Sequence, residues 1–129
     1  TSLTPYAQAG KLVPFRAGAQ LLPGISALTA HGHTVGHTVY SVESQGQRLL
    51  LIGDLIHVGA VQLQHPEVTI AFDMDEKEAA ATRLKFFGDA ARDRVLIGAS
   101  HLSFPGVGRL VKTGTSFRWE SVSYSTQFK

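Results

Sequence analysis

Apolar residues along this chain fall in short runs broken by glycine, proline and polar turns, a pattern of strands more than of long helices. Residues 39–45 alternate: Val39, Ser41 and Glu43 interleave with Tyr40, Val42 and Ser44. A turn signal at Gln45-Gly46-Gln47 follows, and then the apolar run RLLLIG at 48–53. The pair predicts a β-hairpin whose second strand is buried on both faces. VLIGAS (95–100) predicts a second buried strand. RLVKTG (109–114) and SFRWESV (116–122) predict a hairpin about Gly114. Nearer the start, KLVPF (11–15) and AQLLPG (19–24) predict short edge strands interrupted by Pro14 and Pro23, and ISALTA (25–30) leads into a His-rich loop. Residues 55–72 mix β-branched residues with glycine and His65-Pro66, and read as loop and irregular strand. One helix is predicted, over about 75–92. Asp75 and Glu78 stand at capping-box spacing, and Ala80, Leu84, Phe87 and Ala91 recur on one helical face with Arg83, Lys85, Asp89 and Arg92 largely off it. Strands, one helix, then strands make an α/β layer arrangement.

Composition fits that picture. The chain has 129 residues, 43% hydrophobic and 17% charged, as in one globular domain or part of one. The opening TSLTPYAQAG, without an initiator Met, reads as a chain already under way. The pI is about 9.2, yet the formal net charge is only +2 and no run of Lys or Arg exists. No aromatic stacking platform is evident either, so nucleic acid is not an expected partner. No apolar stretch nears the ~20 residues that cross a bilayer, and no membrane partner is expected. With no cysteine, disulfides, thiolate metal sites and a Cys nucleophile are excluded, and a metal would have to use histidines and carboxylates.

The densest chemical signal is A-H-G-H-T-V-G-H-T at 30–38, where His31, His33 and His37 fall within seven residues beside Gly32 and Gly36. Imidazole nitrogen suits Zn²⁺ and similar ions, but a polar loop with backbone-bonded histidines would read the same way. Asp54 directly follows an apolar strand, where ligands of open sheets gather; taken alone it is as well a turn carboxylate. His101 closes a second such strand and alone reads as a satisfied core histidine. Together, two strand ends and a His-rich loop each present a ligand-type side chain from a different element of one sheet.

G-H-T-V-G-H-T, an apolar strand ending in G-D, and A-S-H after another strand resemble the metallo-β-lactamase superfamily across nearly the whole chain. G-D-L-I-H-V-G-A-V-Q-L and A-S-H-L-S-F-P-G-V-G are similar to its methyl parathion hydrolase branch, with lactonase and arylesterase relatives such as dihydrocoumarin hydrolases. The resemblance implies that residues 1–129 form the C-terminal half of a single αββα sandwich domain. It implies metal ligands at His37, Asp54 and His101, with Asp54 bridging two divalent ions. Zn²⁺ is the first expectation, and Mn²⁺, Co²⁺ or Fe are chemically able. His33 is expected to support the loop, and His31 has no role in the pattern.

The superfamily's H-x-H-x-D-H motif does not occur in the sequence. Three ligands cannot close two sites, so an N-terminal half of the same domain is the expected partner, and a homodimer is compatible with the aromatic C-terminal segment. The implied reaction is hydrolysis by a hydroxide bridging two ions. His57, Ile70 and Phe72 are the expected substrate wall, and Leu102-Ser103-Phe104 either rim the pocket or pack under the turn. A histidine at 57 offers a hydrogen bond to an aromatic lactone or aryl ester, whereas an organophosphate triester would favour an apolar residue there. The expected enzyme is therefore a lactonase or arylesterase with minor phosphotriesterase activity. A primarily methyl parathion-like hydrolase is the alternative. Thioesterase, phosphodiesterase and non-catalytic assembly roles are the rivals.

Overall fold

A computed structural model describes residues 2–124. Its seven strands are β1 (Gln20–Leu22), β2 (Ile25–Thr29), β3 (Thr38–Ser44), β4 (Gln47–Leu51), β5 (Leu96–Gly98), β6 (Val107–Thr113) and β7 (Ser116–Ser121). They form a single sheet in sequence order. Every neighbouring pair is antiparallel except β4 and β5, which run parallel. A parallel pair needs a crossover. Here it contains a 3₁₀ turn (Gly53–Leu55), a short helix α2 (Gly59–Gln62) and the main helix α3 (Glu76–Arg92). A five-residue helix α1 (Thr4–Gln8) precedes the sheet. The expected α/β arrangement, mostly β with one main helix, is what forms.

The strand ends are set by register. Leu51 pairs with Gly98, and the Ile52 N–H extends the ladder by donating to the Gly98 carbonyl at 3.0 Å. Asp54 and His101 each stand three residues beyond that pair, so parallel pairing delivers both to the same edge at the same height. β3 begins at that edge, because Tyr40 pairs with Leu51 and Thr29 with Thr38. The His-rich loop between β2 and β3 is therefore forced onto the edge as well.

Helix α3 starts where the capping signal placed it: the Asp75 carboxylate accepts the Glu78 N–H at 2.9 Å. Its buried face, however, is Ala79, Arg83, Phe86, Phe87 and Ala90. The expected stripe of Ala80, Leu84 and Ala91 is rotated by one residue, and Leu84 is 43% exposed. The two phenylalanines set this rotation, since both must enter the core and only a stripe containing 86 and 87 buries them together. Phe87 packs edge-on against Phe117 of β7, with centroids 5.4 Å apart. The core beneath α3 joins Val39, Leu50, Ile52, Leu55, Ile56, Ile97 and Leu110 to these rings.

Three other expectations change. β4 is not buried on both faces: Leu50 is buried and Leu51 is 41% exposed, because α3 covers only one face of the sheet. Residues 11–15 form no strand, while 19–24 contribute only the three residues of β1. The stretch 55–72 holds helical turns instead of irregular strand, tied together by Gln62, which is fully buried. Its side-chain oxygen accepts the N–H groups of His57 (2.8 Å) and Val58 (3.0 Å), and its amide donates to the Val68 carbonyl at 3.0 Å.

The rotated stripe yields a stability contrast. Phe87→Ala is expected to cost about 3–5 kcal/mol, and Leu84→Ala less than about 1 kcal/mol. Urea unfolding of the two variants measures it, and comparable losses at both positions would restore the original face.

Candidate metal centre

The His-rich loop is pinned at its middle to the start of α3. The Met74 N–H donates to the His33 carbonyl (3.1 Å) and the Asp75 N–H to the Gly32 carbonyl (2.9 Å). Gly32 has φ +121°, and a Cβ there would collide with the backbone of Ala79, so only glycine allows the loop this close. The contact fixes His33 relative to the sheet edge.

Asp54 is the centre of the cluster. One carboxylate oxygen lies 3.3 Å from His33 Nε2 and the other 3.1 Å from His101 Nε2. The His57 ring stacks on His101 with centroids 4.6 Å apart and leans on His33 at 4.9 Å. Donor atoms of His33, Asp54 and His57 all lie within 4.8 Å of one another. Two nitrogen or oxygen ligands on one tetrahedral Zn²⁺, at bond lengths of about 2.0–2.2 Å, are themselves about 3.3 Å apart. The observed spacings fit, and Asp54 presents a different oxygen to each of two histidines.

His37 sits elsewhere. Its Nδ1–H donates to the Ala30 carbonyl (2.8 Å), and its Nε2 accepts the Asp54 N–H (3.1 Å). Both ring nitrogens are thus used inside the protein, and their partners fix a single tautomer. The ring supports the Gly53-Asp54 turn, where a Cβ on Gly53 (φ +52°) would lie 3.0 Å from His37 Nε2. The geometry therefore exchanges the places expected for the two loop histidines: His33 faces Asp54, and His37 braces the turn from behind. His31 lies apart, 3.9 Å from Glu78.

Electrostatics follow the crowding of one carboxylate by three imidazoles. Partial burial pushes the Asp54 carboxyl up, but the hydrogen bond and charge of His101, with the charges of His57 and His33, outweigh it and hold the group below its ordinary 3.8. Burial, and then the neighbouring His101, push the His57 imidazole below its ordinary 6.5. His57 Nδ1 is the one buried side-chain nitrogen or oxygen without a hydrogen-bond partner among the described residues.

The expected substrate wall is only partly assembled. Ile70 is half-buried, and its N–H donates to Asp73 at 3.1 Å. Phe72 is 77% exposed, and among the described residues none of the cluster's hydrogen bonds or ring contacts involves it. Leu102 packs against the core, whereas Phe104 is exposed and stands edge-on to the Tyr124 ring, 4.9 Å away.

Two residues of the site carry no sequence signal that the expectations used. Asp73 bonds His33 Nδ1 at 3.0 Å, and Arg83, beside it, is 1% exposed. The Arg83 Nε donates to the Leu55 carbonyl (2.6 Å), Nη1 donates to the carbonyls of Pro66 and Val68 (both 2.8 Å), and Nη2 lies 3.6 Å from Asp73. Anchoring the helical stripe on Ala79 instead of Ala80 would have placed Arg83 on the buried face, where a guanidinium demands partners.

Known proteins of one family are similar to this chain. The family model described as Metallo-beta-lactamase superfamily matches residues 3–101. A solved hydrolase of the beta lactamase superfamily, AbOPH, is 32% identical with a TM-score of 0.90, over 95% of this chain and 42% of its own. AidC, a dizinc quorum-quenching lactonase solved with the product N-hexanoyl-L-homoserine, is 30% identical with a TM-score of 0.86, over 93% of this chain and 41% of its own. A probable metal-dependent hydrolase from Staphylococcus aureus shares the fold at 24% identity and a TM-score of 0.64, over 72% of this chain and 33% of its own. The chain thus spans less than half the length of these proteins. No curated protein matches the sequence.

The lowered pKa of His57 makes a pH prediction. As pH falls past 6.5 the unfolded chain binds this proton before the folded chain does, so stability present above 6.5 is lost towards the lower folded pKa. The urea midpoint of the metal-free chain should therefore fall between about pH 7.5 and about pH 5.5, and less so in His57→Gln. Parallel profiles for the two proteins would refute the assignment.

Proposed function

The chain belongs to the metallo-β-lactamase superfamily, and on that premise we propose that it supplies half of the metal centre of a hydrolase, with His33, Asp54 and His101 as its ligands. The observation that carries this reading is the split Asp54 carboxylate, one oxygen towards His33 and the other towards His101. A carboxylate set between two histidines in this way could serve as a ligand shared by two ions. His37 holds the Asp54 backbone through its Nε2, and so positions the Asp54 carboxylate.

Two divalent ions, with Zn²⁺ first, would supply Lewis acidity and an activated water at neutral pH. The chain's own residues do the rest. Asp54 stays ionised because its pKa is held down, so its oxygens remain acceptors and ligands. His57 lines the same cluster and stays neutral, able to present one N–H donor. The remaining ligands come from a segment outside these 129 residues, an N-terminal half of the same domain. Its natural docking ground is the sheet face that α3 leaves uncovered.

The substrate class proposed is a lactone or aryl ester, with organophosphate triesters as a secondary class. His57 favours the ester reading: a hydrogen-bond donor beside Asp54 complements an acyl or lactone oxygen, and desolvating an imidazole against alkoxy and aryl groups would cost binding. The AidC lactonase, similar over more than nine-tenths of this chain, adds support for lactones as the first class to test, with triesters as the comparison.

Two measurements test the proposal. Combined with the N-terminal half of AbOPH, the chain should bind two metal ions per unit and hydrolyse an aryl lactone or N-acyl homoserine lactone faster than a paraoxon-type triester. His57→Leu should shift the lactone-to-triester ratio about 10-fold towards the triester, the loss of one hydrogen bond. An unchanged ratio would remove the argument for esters. In Zn²⁺ titrations of the chain, His33→Ala should abolish uptake, while His37→Ala should weaken it less. The reverse order would return the ligand role to His37, and no uptake by any form would favour a non-catalytic assembly module.

A further inference from the structure

The two histidines of G-H-T-V-G-H differ in what lies behind them. His37 bonds a neutral carbonyl through Nδ1, and its Nε2 is already spent on the Asp54 amide. His33 bonds a carboxylate through Nδ1, and its Nε2 is free to face Asp54. We propose that Asp73 is the positioning residue for His33, holding its Nδ1 as the protonated, donating nitrogen so that Nε2 turns towards Asp54, and that Arg83 locks this carboxylate in place. The inference rests on His33 being a metal ligand and extends that reading to what makes it one.

The geometry of Asp73 admits one arrangement. Its side chain is fully buried. One oxygen lies 3.0 Å from His33 Nδ1; the other accepts the Ile70 N–H at 3.1 Å and faces the Arg83 guanidinium at 3.6 Å. With one Asp73 oxygen accepting from Ile70 and facing Arg83, the other is placed to accept the His33 Nδ1–H. With Nδ1 as the donor to Asp73, Nε2 is the nitrogen left to face Asp54 or an ion beside it.

Arg83 extends the device to the other ligand. The guanidinium that faces Asp73 also donates to the carbonyl of Leu55, the residue after Asp54, and to those of Pro66 and Val68. His33 from the β2–β3 loop and Asp54 from the end of β4 are therefore indexed to one rigid group on α3. Burying a guanidinium is costly unless its donors are satisfied; here three backbone carbonyls and a carboxylate answer them. Residue type matters at both positions: a Lys at 83 could not serve four acceptors in a plane, and an Asn at 73 could donate to Nδ1 as readily as accept from it.

The test reads the proton directly. Long-range ¹H–¹⁵N correlation of the His33 ring in the metal-free chain at about pH 8 should show Nδ1 protonated. Asp73→Asn should admit the second tautomer and weaken Zn²⁺ binding, measured by chelator competition, about 10–100-fold. Arg83→Lys should weaken it less. Asp73→Glu should restore part of the Zn²⁺ affinity lost in Asp73→Asn. An unprotonated Nδ1 in the unmodified chain overturns the inference, and so does an Asp73→Asn protein that folds and keeps its Zn²⁺ affinity. Should Asp73→Asn not fold, the tautomer of the unmodified chain still decides. A chain that shows the Nδ1–H tautomer yet binds no Zn²⁺ upholds Asp73 as the orienting group and removes instead the metal reading of the previous section.

Discussion

The parallel pairing of β4 with β5 is the constraint from which the site follows. It is the only parallel contact in a sheet otherwise built from antiparallel neighbours, and it demands a long crossover that must return to the same edge. The crossover brings α3 onto one face and so creates the core. The register Leu51 to Gly98 then delivers Asp54 and His101 side by side. Antiparallel pairing would have sent these two strand ends to opposite edges. The His-rich loop reaches that edge because β3 runs antiparallel to β4. Three segments distant in sequence thus converge through backbone hydrogen bonds alone, before any side chain has chosen a partner.

Convergence alone does not make a ligand set, because imidazoles and carboxylates crowded together can satisfy one another in several ways. The structure resolves this with buried and half-buried partners set behind the cluster. Gln62 holds the backbone at His57, His37 holds the amide of Asp54, and Asp73 with Arg83 holds His33. Each is a specific hydrogen bond placed where water is scarce, so each is strong enough to fix a ring or a turn. The Nε2 atoms of His33 and His101 both face the Asp54 carboxylate, and donor atoms of His33, Asp54 and His57 lie within 4.8 Å of one another, a spacing that could hold a metal ion.

The exposed features of the chain have a common explanation. β4 turns Leu51 outwards, Phe72 and Phe104 are exposed, and among the described residues the cluster has too few donors to enclose two ions. AbOPH and AidC, which align over nearly all of this chain, are more than twice its length. Metallo-β-lactamase domains are sandwiches, and one layer of a sandwich leaves apolar positions and an open ligand edge for the other layer to cover. The proposed N-terminal partner half answers the apolar face and the ligand shortage together.

Much of this was legible in the sequence. The apolar runs before Asp54 and His101, the turn at Gln45-Gly46, the capping pair Asp75 and Glu78, and the clustering of histidines at 31–37 announced the elements and the chemistry. These are local patterns, set by strand and helix periodicity and by the conformational needs of turns. What only the tertiary structure decided was the division of labour within the patterns. His33 and His37 sit in the same G-H-T context, and their roles diverge because one lies against Asp73, 40 residues away, and the other against Ala30 and the Asp54 amide, 7 and 17 residues away. The rotation of α3 depended on two phenylalanines entering a core whose other walls come from β3 to β7. Arg83 read as a surface charge because periodicity reports where a side chain points, and not whether four acceptors are waiting there. The sequence by itself determined which residue types reach the sheet edge; the long-range packing decided which nitrogen each histidine has left to offer.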